Sequence, residues 1–252
     1  MLVRLIAAIA PALILMWYVY HKDIHPEPAK LVVKGFGYGA LATFLSMVIS
    51  VPLMAMGVFT NDPTNLVESI KVSFFGAAIP EETAKLVMLW LLLRNCSEFD
   101  ERYDGIVYGA AVGLGFATLE NLEYLLAAGA DWYSVSVSRA LFAVPGHFCF
   151  AVVMGYYYSQ AHFLRSYAPK GTKLKMWLYP VLLHGTYDSI VFASGLNSVI
   201  SGLCSVVLVV FCFKLFSFTR ERIHKEVNDP DILAKILRDS APEPGDNLPD
   251  EQ

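Results

Sequence analysis

The sequence predicts an all-α polytopic membrane protein with about seven transmembrane helices, its N-terminus outside and its C-terminus cytoplasmic. Hydrophobic residues fill 56% of the 252 positions and charged ones only 17%, and mean hydropathy is +0.49. Apolar stretches of about 20 residues or more recur with short breaks, whereas a soluble core would alternate shorter helices with polar loops. Basic residues gather in alternate loops, which fixes an orientation.

The expected spans run from Leu2 to Tyr20, Leu31 to Phe59, Leu66 to Leu93, Gly105 to Ala128, Val135 to His162, Leu174 to Ser194 and Asn197 to Phe218. Ala8-Ile9-Ala10 resembles a signal-peptide cleavage site, but Pro11 follows it, and Tyr18 and Tyr20 suit an interfacial belt, so the first span is read as retained. The last two spans are separated only by Gly195-Leu196-Asn197, a tight turn that also allows a single bent or re-entrant element. Lys22, Lys30 and Lys34 flank the first loop, Arg94 and Arg102 the third, Arg165, Lys170, Lys173 and Lys175 the fifth, and Arg220, Arg222 and Lys225 follow the last span. Odd-numbered loops and the C-terminus therefore face the cytoplasm.

Residues 1–218 form the expected membrane domain and 219–252 a cytoplasmic tail. The tail turns acidic and proline-rich at Ser240-Ala241-Pro242-Glu243-Pro244-Gly245-Asp246, a composition that supports a short helix around Ile232 to Leu237 and then disorder. The net charge of −4 reflects this tail and implies no nucleic-acid partner. The four cysteines lack metal-site spacing and read as small packing residues.

Ionisable residues recur within the third to sixth spans, where an acid at the helix centre costs roughly 2.5–3.5 kcal/mol on insertion scales. Glu81 and Glu82 follow Ile79-Pro80, where the proline is expected to bend or restart the helix and admit water and an extended peptide. Adjacent helical residues point about 100° apart, so the two glutamates need different roles. Lys85, one turn from Glu81, is placed to pair with it. The fourth span contributes Glu120 and Asn121, and its Gly109 and Gly113 form a small-residue face for close helix packing. Glu123 reads as an interfacial acid, and Arg139 equally as a headgroup contact or a site residue. His147 follows the helix-weakening Pro145-Gly146, while His184 and Asp188 share one helix face at i and i+4, where the acid can fix the imidazole tautomer or join it at a metal. Together these side chains can reach one depth in the membrane, the signature of a site.

The Glu81-Glu82-xx-Lys85 signature, the run Phe99 to Ala110, the block Gly115-Phe116-Ala117-Thr118-Leu119-Glu120-Asn121 and Leu183-His184-Gly185-Thr186-Tyr187-Asp188 resemble the PrsW family of bacterial membrane-embedded proteases. The resemblance implies a multi-pass protein of the bacterial plasma membrane that makes the first, outer-side cut in a membrane-anchored anti-sigma factor. Downstream proteases would then act on the same substrate and free a sigma factor in a stress response. It also implies kinship with CAAX prenyl endopeptidases and bacteriocin-processing membrane proteins, whose double glutamate and histidines correspond to Glu81, Glu82, His147 and His184.

Two mechanisms fit these residues. In one, His147 and His184 with one or two carboxylates from Glu82, Glu120 and Asp188 hold zinc, which polarises the scissile carbonyl, while Glu81 takes a proton from the bound water. In the other, Glu81 is the general base without metal, and His147 or His184, with Asn121, stabilises the oxyanion. The lack of an HExxH pair tips the expectation slightly towards the metal-free form. The competing class is a proton- or metal-ion-coupled transporter using the same buried cluster, against which stands the absence of an internal repeat.

Overall fold

The computed structural model describes residues 2–165 and 168–228, and these contain helices and connecting turns but no strand. Helix α1 spans Leu2–Tyr20 and α2 spans Ala29–Ala55. Helix α3 (Leu66–Lys71) continues through a π-helical segment, Val72–Ala78, into α4 (Ile79–Leu93). Helix α5 is Arg102–Ala127; after a 3-10 turn, α6 (Trp132–Ser138) runs through a second π-helical segment, Arg139–Ala143, into α7 (Val144–Phe163). Helices α8 (Thr172–Ser194) and α9 (Ser198–Asn228) complete the described chain.

Five helical runs are long and apolar enough to cross a membrane: α1, α2, α5, the run Gly129–Phe163 and the Ser198–His224 part of α9. The other two expected spans are helical but differ in kind. Leu66–Leu93 is divided by its π segment, and α8 carries Lys173, Lys175, His184 and Asp188. Around Gly195, α8 and α9 are separate helices rather than one bent element. Helix α9 continues past Phe218 to Asn228, where Glu226 meets Arg102. The short helix expected around Ile232 to Leu237 lies outside the described residues.

Helix α5 is the centre of the molecule, with every residue from 102 to 117 buried. Its glycines explain why. A Cβ on Gly109 would lie 2.7 Å from the Ala151 carbonyl oxygen and 3.0 Å from Gly155 Cα, so α5 and α7 touch backbone to backbone. On another face, a Cβ on Gly115 would lie 2.9 Å from Phe36 Cα of α2. In lipid, where apolar side chains gain little by leaving the lipid tails for one another, such close packing is a main force that holds helices together. The start of α5 is fixed by a reciprocal cap: the Glu101 side chain accepts from the backbone N–H of Asp104, and Asp104 Oδ2 accepts from Glu101 N at 2.7 Å. The outer helices invert the soluble pattern, exposing apolar side chains such as Phe213 at 74% and Val199 at 72%.

Both π segments end just before a proline, Pro80 and Pro145. A helical proline clashes with the carbonyl four residues back, here that of Gly76 or Leu141, and each of these lies inside its π segment. The wider turn accommodates the ring without breaking the helix, and π turns of this kind concentrate at functional sites. The bend expected at Ile79-Pro80 thus takes the form of a change in helical register.

Candidate active site

Immediately after the π segments, α4 and α7 deliver Glu81, Glu82, Lys85 and His147 to a point met by Glu120 of α5 and by His184 and Asp188 of α8. Donor atoms of Glu81, His147 and His184 lie within 4.8 Å of one another. They border a cavity of about 380 Å³ whose walls include Val135, Phe142, Val191, Phe192 and Leu208, with Glu120 and Asp188 also lining it. A smaller cavity of about 240 Å³ borders Glu81 as well, between Met54, Phe59 and Gly76.

The two adjacent glutamates face different surroundings. Glu82 is fully buried. Its Oε1 accepts from Lys85 Nζ at 2.8 Å and makes a 2.8 Å hydrogen bond with His184 Nδ1. This turns His184 Nε2 towards Asp188 Oδ2 at 3.2 Å and Glu81 Oε2 at 3.9 Å. Glu81 lines both cavities, and its buried Oε2 has no hydrogen-bond partner. Lys85, expected to pair with Glu81, lies closer to Glu82: 3.6 Å separates it from Glu81 against 2.8 Å from Glu82. The i,i+3 geometry brings the ammonium under Glu82, where the Phe116 ring, 4.1 Å away at its centroid, covers it.

His147 is held at both ring nitrogens. Lys85 Nζ lies 3.0 Å from Nδ1, and because an ammonium can only donate, Nε2 carries the hydrogen given to Glu120 Oε2 at 2.8 Å. The same Glu120 oxygen accepts from Arg139 at 2.5 Å. Arg139 in turn donates to Asn121 Oδ1 at 2.7 Å and lies 4.0 Å from the Tyr124 ring centroid. The imidazole of His184 stacks on Phe150, centroids 5.0 Å apart and planes 18° off parallel.

The expected site residues thus come together, with distinctions the sequence could not make. Asn121 faces away from the cavity, donating to the Ala8 carbonyl at 3.1 Å and steadying Arg139; it is not aimed at a cavity-bound oxyanion. Glu123 is exposed and outside the cavity. Arg139, ambiguous in sequence, lies at the start of the second π segment and lines the cavity. The cavity's Ser138 donates its hydroxyl to the Val135 carbonyl at 3.1 Å, which leaves the carboxylates and imidazoles as the reactive groups.

A cavity lined by Glu81, Glu120, Asp188 and two imidazoles, in a chain with five helical runs apolar enough to cross a bilayer, suits a membrane-embedded hydrolase. The model of the PrsW family of intramembrane metalloproteases matches residues 27–216, and the chain belongs to that family. Proteins named Protease PrsW resemble it along most of their length. That of Geobacillus kaustophilus is 39% identical over 191 residues, 74% of this chain and 79% of its own. Those of Oceanobacillus iheyensis and Bacillus subtilis are 33% and 38% identical, covering 90% and 74% of this chain and 100% and 82% of theirs. No solved structure matches the chain. The protein is therefore a membrane peptidase, a multi-pass protein of the bacterial membrane. The description of the family as metalloproteases stands against the metal-free arrangement towards which the sequence leaned.

Proposed function

We propose that this peptidase makes the first, outer-side cut in a membrane-anchored anti-sigma factor, with Glu81 activating the attacking water. The single observation that carries the chemistry is the convergence of Glu81, His147 and His184 at one cavity, with donor atoms within 4.8 Å of one another. The substrate class rests on the PrsW resemblance. Later proteases in the same membrane would act on the trimmed substrate and release the sigma factor. Glu81 borders two cavities that share Ala77, Tyr124 and Phe192, space that suits an extended peptide running past the carboxylate.

The donor set fits a divalent metal such as zinc. Two histidines with carboxylates are a common catalytic zinc set, and Glu81, Glu82, Glu120 and Asp188 outnumber Lys85 and Arg139 by two charges, an excess that a divalent cation balances in a dry site. His147 and His184 would hold the ion with Asp188, His147 giving up one of its two present hydrogen bonds. When bound, the ion would polarise the scissile carbonyl and acidify water.

The protein's own groups divide the remaining work. Glu81 takes the proton of water as its oxygen adds to the carbonyl carbon, then passes that proton to the departing nitrogen as the C–N bond breaks. Glu82 keeps His184 turned to the cavity and neutralises Lys85. Glu120, anchored by Arg139, does the same for His147, the outer-layer role that acids play at catalytic imidazoles. The apolar wall excludes bulk water, so these interactions act at low dielectric.

For topology, we propose seven crossings, the divided run Leu66–Leu93 and α8 included, with odd-numbered loops, the tail from residue 219 and the C-terminus in the cytoplasm. Polar inward faces suit helices that line a catalytic cavity. The test is incubation of the purified full-length protein in detergent with a single-pass anti-sigma substrate, followed by sequencing of the new N-terminus. A cut on the outer side of the substrate's span is expected. No cut, or a cut on the cytoplasmic side, would overturn the reading.

A further inference from the structure

At the other end of α5 lies a second group of acids that catalysis does not use. Asp23 and Glu27 come from the connection between α1 and α2, and Asp104 from the first turn of α5. An oxygen from each lies within 4.8 Å of the other two. All three are buried, at 8%, 4% and 0% exposure. Counted along α5, Asp104 is about 24 Å from Glu120, so the group is separate from the catalytic cavity.

The hydrogen bonds of these acids orient them, and Glu27 and Asp104 also lie within hydrogen-bonding reach of each other. Asp104 Oδ2 accepts from Asp100 N at 2.9 Å and from Glu101 N at 2.7 Å, while no N–H or hydroxyl reaches its buried Oδ1. Asp23 Oδ1 accepts from His25 N at 3.1 Å, and its buried Oδ2 is likewise unpartnered. Glu27 accepts from the Tyr108 hydroxyl, and its backbone carbonyl accepts from Tyr20 at 2.9 Å. None of the three forms a salt bridge among the described residues. Three converging buried carboxylates with Asp23 Oδ2 orphaned and no cation paired to them among the described residues are an incomplete electrostatic unit.

We propose that Asp23, Glu27 and Asp104 bind a hard divalent cation, of the Mg²⁺, Ca²⁺ or Mn²⁺ class, which ties the α1–α2 connection to the start of α5. The donor set is all oxygen, without the histidine or thiolate that favours softer metals. The positive end of the α5 dipole, about half a charge, opposes a cation there but is outweighed by three carboxylates. The cation would hold α1 and α2 in register on the central helix, complementing the bond from the Tyr103 hydroxyl to the Val19 carbonyl at 2.9 Å. It has no part in the peptidase chemistry and does not depend on the substrate proposed above.

The test uses the full-length chain carrying Glu81→Gln and His184→Ala, so that the catalytic cavity does not compete, stripped of metal in detergent. Tyr108, in contact with Glu27, makes terbium a direct probe through sensitised emission. One saturable Tb³⁺ per chain is expected, displaced by Ca²⁺ or Mg²⁺, with Tm rising by about 5 °C or more when the displacing ion is at a hundred times its Kd. Adding Asp23→Asn should leave the metal-free chain at least as stable and lower Tb³⁺ affinity at least tenfold; Glu27→Gln is the second variant, and neither carries the cap of α5. Absence of saturable emission and of any Tm shift, the behaviour of acids that simply share protons, would overturn the proposal. So would unchanged Tb³⁺ binding in both variants.

Discussion

Helix α5 carries an acid cluster at each end, and the two are solved differently. Around Glu120 the protein supplies its own cations, Arg139 and, through His147, Lys85, and leaves a cavity beside them. Around Asp104 three buried carboxylates face one another without a protein cation among the described residues. Burial of acids alone therefore does not identify chemistry in this protein. A candidate reactive group must also border a cavity, and Glu81 does so with only the longer ion pairs to Lys85 and His184, whereas Glu82 lines neither cavity and is held by two 2.8 Å hydrogen bonds.

The largest expected effect follows from this difference. Glu81→Gln should lower cleavage by about 10³-fold or more while changing Tm less than Glu82→Gln does, since Glu81 makes only the longer ion pairs, 3.6 Å to Lys85 and 3.9 Å to His184. Glu82→Gln, the same change one residue later, should instead split between function and stability. Its removal leaves Lys85 buried without its nearest counter-charge, a loss of about 3–5 kcal/mol, and frees His184. Thermal melting of both variants beside a cleavage assay checks the pair; equal Tm losses would erase the distinction between them.

A smaller effect is expected at Arg139→Gln. Its partners Glu120 and Asn121 remain in place, but Glu120 loses the group that aims it at His147, so cleavage should fall by about 10- to 100-fold with substrate binding little changed. Kinetics that show a raised KM and an unaltered kcat would instead make Arg139 a substrate contact. Gly109→Ala should affect packing and spare the chemistry, costing about 1–3 kcal/mol because the added methyl would meet the Ala151 carbonyl at 2.7 Å. An unchanged Tm would show that α5 and α7 have more freedom than their contact suggests. The smallest effect on cleavage belongs to Asp23→Asn, which should alter the cation response of stability and leave the rate within about twofold when saturating cation is present for the wild type.

Much of the site was legible because a membrane makes polar residues conspicuous. Glu81, Glu120, His147 and His184 stood out against apolar runs, and Gly109 and Gly113 marked the close face of α5. Other features depend on geometry that no local pattern encodes. A proline announces a disturbed helix but not whether it kinks, stops or widens, so the π segments and the inward turn of Arg139 were beyond the sequence. The roles of Glu81 and Glu82 turn on which side the cavity lies. The second acid cluster was missed because Asp23 and Glu27 sit in a polar connection, where acids are ordinary, and Asp104 is some 80 residues away in sequence. The tail's expected short helix remains an expectation from composition.

The central claim is that Glu81 is the catalytic carboxylate of a metal-assisted peptidase, with Glu82 holding the site in place. The most direct measurement is cleavage of a membrane-anchored substrate by purified wild type, Glu81→Gln and His184→Ala, with metal content determined on the same samples. The claim predicts cleavage by wild type with about one zinc per chain, loss of cleavage in both variants, and retention of zinc in Glu81→Gln but not in His184→Ala. Undiminished cleavage by Glu81→Gln, or full wild-type cleavage by protein free of metal, would contradict it.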